Sequence, residues 1–181
     1  MKKTIAAIAL AGASTAALAH TGAGPHTHGF LDGFAHPFTG IDHLLAMLAV
    51  GAWSARQQNG RWLPATFIGM LMAGMAAGAA GLSAPGLETG IALTVALLGV
   101  LIALAARLPA LPAALMVGGF ALLHGNAHGL ELPQASSAAG LLLASVMLVH
   151  GGRLLGRGSP ALALKASGAA IAVSGLAMLS L

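Results

Sequence analysis

The stretch "HPFTGIDHLLAMLAVGAWSA" (residues 36–55) begins with ionisable side chains and continues as an apolar run. A helix needs roughly 20 mostly apolar residues to cross a bilayer, and this run is close to that length. His36, Asp42 and His43 would then lie at the mouth of a membrane helix. Ionisable groups in such positions are costly and usually mark a binding site or a transport pathway. The stretch therefore predicts a membrane fold with a polar site near one face.

The composition of the whole chain favours the same class. Of 181 residues, 57% are hydrophobic and only 7% are charged, with a mean hydropathy of +0.89, whereas a soluble domain carries about 25% charged residues. The net charge of +4 comes without a basic stripe of interleaved aromatics, so we expect no nucleic-acid partner. The absence of cysteine excludes disulfides, thiolate metal sites and iron–sulfur clusters.

The N-terminal segment "MKKTIAAIALAGASTAALA" (residues 1–19) has the layout of a signal peptide. Two lysines precede a short apolar core, and Ala17-Leu18-Ala19 forms a small-x-small cleavage site. Cleavage would make His20 the new N-terminus, outside the cytoplasm; the alternative is an uncleaved first membrane helix. We expect a signal peptide at 1–19, a histidine-containing periplasmic segment at 20–36 and a transmembrane domain at 37–181.

The transmembrane domain is predicted to be an all-α, polytopic bundle of six helices. We expect spans near residues 37–55, 63–82, 88–106, 111–130, 136–155 and 161–180, separated by Gly- and Pro-containing turns. Small residues such as those of "GMAAG" (Gly74 to Gly78) allow close helix packing, within one chain or in a homo-oligomer.

The distribution of charges predicts the orientation of these spans. The cations after the signal peptide (Arg56, Arg61, Arg107, Arg153, Arg157 and Lys165) all fall at one membrane face. Glu88 and Glu131 fall at the other face. The positive-inside rule places the cations in the cytoplasm. The interpretation is a multi-pass protein of the bacterial inner membrane with both termini in the periplasm, which a cleaved signal peptide independently requires.

Polar residues of the first and fourth spans are predicted to meet near the outer face. The fourth span ends with "LLHGNAHG", and because these two spans run in opposite directions, its histidines lie at the depth of His43. His124 and His128 are four residues apart and share one helix face. His36 and His43 would share a face if the first span began at Pro37. Imidazoles with a carboxylate suit Ni²⁺, Co²⁺, Zn²⁺ or Cu²⁺.

Several further residues are weaker candidates for metal binding. Met47 lies one turn below His43, Asn126 lies between the paired histidines, and His150 lies at the inner end of the fifth span, where a plain interfacial histidine is the alternative. A mature N-terminus with His20, His26 and His28 could act as a metal-capturing arm or be an ordinary flexible leader. Thr39 to Asp42 also resembles a capping box, which would give Asp42 a purely structural role.

The motif "HPFTGIDHLLAMLAVG" resembles the signature HPxxGxDHxxAMxxVG of the HupE/UreJ family. "HGNAHG" at 124–129 is similar to that family's second histidine motif, and the resemblance covers essentially the whole chain. It implies uptake of nickel, or of cobalt, for the maturation of hydrogenase or urease. By motif match, it implies metal-site roles for His36, Asp42, His43, His124 and His128.

We therefore expect a permease whose metal ion is its substrate, with no organic cofactor and no enzymatic activity. The chain has no Walker A motif, no HExxH motif and no complete GxSG motif around Ser174. The alternative is a metal-binding accessory or sensor in the membrane without transport. A haem-binding cytochrome is disfavoured because His124 and His128 lie on one helix rather than on facing helices.

Overall fold

The computed structural model describes residues 29–180, and this region is all-helical, as expected. Seven helices follow one another, with no strand among the described residues. They are α1 (Phe30–Thr39), α2 (Ile41–Ser54), α3 (Leu63–Ala79), α4 (Leu87–Ala103), α5 (Ala110–Glu131), α6 (Ala135–Gly158) and α7 (Ala161–Met178). Prolines mark several starts: Pro64 lies in the first turn of α3, and Pro109 and Pro160 precede α5 and α7. A proline is tolerated there because the first amides of a helix have no intrahelical partner.

The first span differs from the expectation of one helix beginning at Pro37. Helix α1 already begins at Phe30, so part of the expected 20–36 periplasmic segment is helical, and Pro37 lies inside α1. Proline has no backbone N–H to donate to a helical hydrogen bond. The backbone becomes extended at Gly40 (φ −84°, ψ 111°) before α2 begins. A Cβ on Gly40 would lie 2.7 Å from Cδ2 of His43, so glycine also permits this close approach. The span is therefore a broken helix, with the break inside the histidine motif.

Six of the helices are apolar, and three of them are long enough by themselves to cross a membrane. These three are α5, α6 and α7, with mean hydropathies of 1.3, 1.6 and 1.6. The shorter apolar helices are α2, α3 and α4. Helix α2 has 14 residues and is about 21 Å long at 1.5 Å per residue, which is shorter than the hydrocarbon core of a bilayer, about 30 Å thick.

Glycine-lined contacts hold the helices in pairs. A Cβ added to Gly74 or Gly78 of α3 would lie 2.3 Å from a backbone oxygen of α5, and one added to Gly125 of α5 would lie 2.1 Å from the carbonyl oxygen of Leu71. The "GMAAG" motif thus packs within the chain, against α5. Helices α4 and α7 form a second pair through Gly99, Gly168 and Gly175, and helix α6 packs against α1 and α2.

The two ends of the bundle differ in chemistry. His43 at the start of α2 contacts His124 near the end of α5, so the histidines gather at one end. Arg56 follows the end of α2 and Arg107 precedes α5, so both lie at the opposite end. There Arg153 of α6 donates hydrogen bonds to Ser54 Oγ (3.1 Å) and to the Gly60 carbonyl (2.7 Å). A buried apolar layer that includes Met47, Val50 and Phe67 separates the two ends.

Candidate metal centre

Four imidazoles from three helices meet at one end of the bundle. His36 lies in the last turn of α1, His43 in the first turn of α2, and His124 and His128 in the final turns of α5. Their ring centroids form a continuous series: 5.1 Å from His36 to His128, 4.1 Å from His128 to His43, and 5.5 Å from His43 to His124. The expected approach of His43 to His124 and His128 is therefore present, and His36 joins them.

The spacing of the ring nitrogens is close to that of a metal site. One nitrogen from each of His36, His43 and His128 lies within 4.8 Å of the other two. Two nitrogens on one ion can be at most about 4.2 Å apart, since each bond is about 2.1 Å long. A side-chain shift below about 1 Å would therefore bring these three imidazoles into coordination distance of one ion.

Only one histidine of this cluster is partly exposed. The side chain of His36 is 21% exposed, whereas His43, His124 and His128 are fully buried. Because α5 runs toward this end of the bundle, His124 lies one turn deeper than His128. The series therefore leads from a partly open mouth at His36 to a closed inner position at His124.

Two carboxylates accompany the imidazoles. Oδ2 of Asp42 lies 3.6 Å from Nε2 of His43, and Oε2 of Glu131 lies 3.0 Å from Nε2 of His36. Sequence reasoning assigned Glu131 only to a loop and missed this position at the mouth. The available signal was its spacing, because Glu131 is three residues after His128 and shares its helix face. Two carboxylates can balance the charge of a divalent cation in a low-dielectric site.

His124 is oriented as a metal ligand would be. Its Nδ1 lies 3.0 Å from the Phe120 carbonyl oxygen, which can only accept, so Nδ1 carries the proton. Nε2 then offers its lone pair, and this buried atom has no hydrogen-bond partner within residues 29–180. Buried polar atoms rarely lack a partner, and metal-bound histidines commonly fix their second nitrogen through a backbone carbonyl. His124 is therefore oriented so that its Nε2 can coordinate a metal ion.

The capping interpretation of Asp42 is wrong. The residue that precedes α2 is Gly40, and no side chain caps this helix. Oγ1 of Thr39 instead donates to the His36 carbonyl at 2.9 Å, within the last turn of α1. Asp42 therefore lies in the first turn of α2 beside His43 and does not form the expected capping box with Thr39.

The additional candidates lie elsewhere in the structure or outside its described part. Asn126 uses its amide to bind the loop after α3, donating to the Leu82 carbonyl (2.6 Å) and accepting from Ala84 N–H (2.9 Å). Met47 is buried in the apolar core. His150 is exposed on α6, with Nδ1 2.9 Å from the Val146 carbonyl oxygen. His20, His26 and His28, like the signal-peptide segment, precede the described residues, so their roles remain predictions.

The fold and site define a helical, membrane-type protein with a buried polyhistidine centre. The chain matches the model of the HupE / UreJ protein family over residues 8–178. Protein HupE of Rhizobium leguminosarum bv. viciae is 40% identical over 190 residues, covering 97% of this chain and 95% of that protein. No solved structure matches the chain. The chain therefore belongs to the HupE/UreJ family, which confirms the resemblance drawn from the histidine motifs.

Proposed function

We propose that the chain is an inner-membrane permease that takes up Ni²⁺, or alternatively Co²⁺, for hydrogenase or urease maturation. The HupE/UreJ family is linked to nickel and cobalt handling by these accessory systems. The observation that carries the proposal is the cluster of His36, His43 and His128, whose ring nitrogens lie within 4.8 Å of one another, with the buried His124 one turn deeper. The second position at His124 favours transport, because a pathway needs successive positions of similar chemistry, whereas a storage or sensor site needs only one.

The broken first span supports transport in particular. In many transporters the substrate site is formed by discontinuous helices, because the break frees backbone groups beside the substrate. Here the break at Gly40 lies between His36 and His43, two residues of the centre. Irregular backbone at membrane depth is tolerated where it lines a cavity or is buried in protein.

In the proposed mechanism, the ion sheds water stepwise at the outer mouth. His36 and Glu131 receive it where both side chains are partly exposed. His128 and His43 take over deeper in the site, where Asp42 offsets part of the charge. Binding at each position has to be modest, since a conducting site must also release its ion. The energy source is either the ion gradient itself or a coupled ion, because the chain has no Walker A motif.

Metal accumulation in cells tests the function directly. Cells that express the chain should accumulate Ni²⁺ or Co²⁺ above vector controls, and Zn²⁺ to a smaller extent. Protons compete with metals for imidazole nitrogens, so uptake should decrease below about pH 6. Isotope uptake at matched protein abundance measures both effects. Metal binding by the purified protein without any accumulation in cells would favour an accessory or sensor role instead.

The orientation has a separate test. We propose that α1 and α2 together, and then α3 to α7, cross the membrane with both termini in the periplasm after signal cleavage. A reporter active only in the periplasm should be active after Leu181. The same reporter should be silent when inserted between Gln58 and Asn59, which are exposed. The opposite pattern would place the histidines at the cytoplasmic face and contradict uptake through this site.

A further inference from the structure

A cavity of about 160 Å³ lies at the end of the bundle opposite the histidines. It opens between the end of α2, the end of α4 and the start of α7. Three cations line it, Arg56, Arg107 and Lys165, above an apolar floor that includes Trp53 and Ile102. None of the four acidic residues of the chain is among its lining residues. The cavity therefore combines positive charge with apolar walls.

The cations are available to an external anion. Arg56, Arg107 and Lys165 are all exposed. Arg56 is held in place because its guanidinium donates to the Ser159 carbonyl at 2.6 Å. Ala161, the first residue of α7, also lines the cavity, and the unpaired amides of a helix N-terminus add positive potential to the same space.

The cavity wall is held in a conformation that is unfavourable by itself. Ala105 has φ 51°, in the left-handed region that residues other than glycine rarely adopt. The neighbouring Ala106 carbonyl accepts hydrogen bonds from Trp53 Nε1 (3.0 Å) and from Gln57 Nε2 (2.9 Å). Strained backbone persists where surrounding contacts fix it, and it concentrates at ligand-binding sites. The strain is thus an observation independent of the charges.

We propose that this cavity binds an anionic phospholipid of the inner leaflet. The headgroup phosphate would lie among Arg56, Arg107 and Lys165, with an acyl chain against the apolar floor. Basic pockets between membrane helices on the cytoplasmic side commonly bind such headgroups. A free phosphate ion also carries negative charge, but it would make no apolar contact with Trp53 and Ile102 at the floor of the cavity. The proposal rests on the embedding of the bundle in a membrane with the cation end in the cytoplasm, as proposed above, and is independent of metal transport.

Trp53 supplies a local probe for the test. The chain has two tryptophans, so a Trp62→Phe background leaves Trp53 as the only one. This protein is placed in phosphatidylcholine nanodiscs that contain a minor fraction of phosphatidylglycerol. In separate samples, either the phosphatidylglycerol or the phosphatidylcholine carries brominated acyl chains, which quench tryptophan fluorescence at short range. We expect brominated phosphatidylglycerol to quench Trp53 several-fold more, per molecule, than brominated phosphatidylcholine.

A matched pair of variants locates the effect. Arg107→Gln/Lys165→Gln should abolish most of the several-fold advantage of phosphatidylglycerol, since each cation near the surface contributes to anionic-lipid affinity. Arg61→Gln/Arg157→Gln removes the same charge from exposed positions outside the cavity and should leave the advantage unchanged.

Three outcomes would overturn the proposal. The first is equal quenching by the two lipids in the starting protein. The second is an equal loss in both double variants, which would indicate a general surface potential. The third is removal of the phosphatidylglycerol advantage by millimolar inorganic phosphate at constant ionic strength, which would make free phosphate the occupant.

Discussion

Replacement of His43 with alanine is expected to abolish metal uptake, with a decrease of at least about 100-fold in uptake at low metal. Loss of a group that only supports a ligand already costs about 10- to 100-fold in affinity, and His43 is proposed as a ligand itself. It is also central, because its ring contacts those of His36, His124 and His128. The measurement is isotope uptake at scarce metal, with calorimetric titration of the purified protein as a second measure.

His150→Ala is the matched control for this variant. It removes an exposed imidazole on α6, outside the described cluster, so uptake should remain near that of the unaltered protein. Protein abundance in the membrane is measured for both variants, because a loss of folded protein would imitate a loss of transport. Normal uptake by His43→Ala would show that the cluster is structural, and the proposed pathway would then be wrong.

Asp42→Asn separates charge from shape at the same site. The substitution keeps the size of the side chain and removes the negative charge 3.6 Å from His43 Nε2. We expect normal abundance with a decrease in metal affinity of about tenfold or more, since the carboxylate offsets the charge of the ion in a buried site. An unchanged titration would limit Asp42 to a structural role.

Much of the histidine cluster could be predicted from the sequence because its geometry follows from helix periodicity. The i, i+4 spacing places His124 and His128 on one face, and opposite span directions bring that face to the depth of His43. The approach of His36 was predicted for the wrong reason. It reaches His43 across a helix break at Gly40 and not along one helix, and α1 packs against α6 through Gly33 and Gly140.

The remaining differences concern residues whose partners are distant in sequence. The sequence places Glu131 in a loop, and its neighbours in sequence do not show that α1 places His36 3.0 Å away. Asn126 lies between two proposed ligands, yet its amide binds the loop after α3. The "GMAAG" motif predicted a close helix contact, but a small-residue motif carries no information on which helix will occupy it. Such assignments require the tertiary fold.

The contact between α3 and α5 leads to the second large effect, on the stability of the bundle. Gly74→Ala is expected to destabilise the protein strongly, because the new Cβ would lie 2.3 Å from the Leu122 carbonyl oxygen and 2.9 Å from the Asn126 amide nitrogen of α5. These are backbone atoms, so the helices have to move apart. Overpacking of a well-packed core typically costs about 1–3 kcal/mol, and a clash between two backbones should reach at least the upper end of that range.

Gly69→Ala on the same helix is the matched control, since no atom lies within 4 Å of its added Cβ. Alanine also has the higher helix propensity, by about 1 kcal/mol, so this variant should melt at the same temperature as the unaltered protein or higher. Thermal unfolding in detergent, followed by circular dichroism, compares the two variants. Equal melting temperatures would contradict the close packing of α3 on α5. Metal affinity should fall together with stability in Gly74→Ala but not in Gly69→Ala. Helix α3 carries no histidine, but displacement of α5 would move His124 and His128 away from His43.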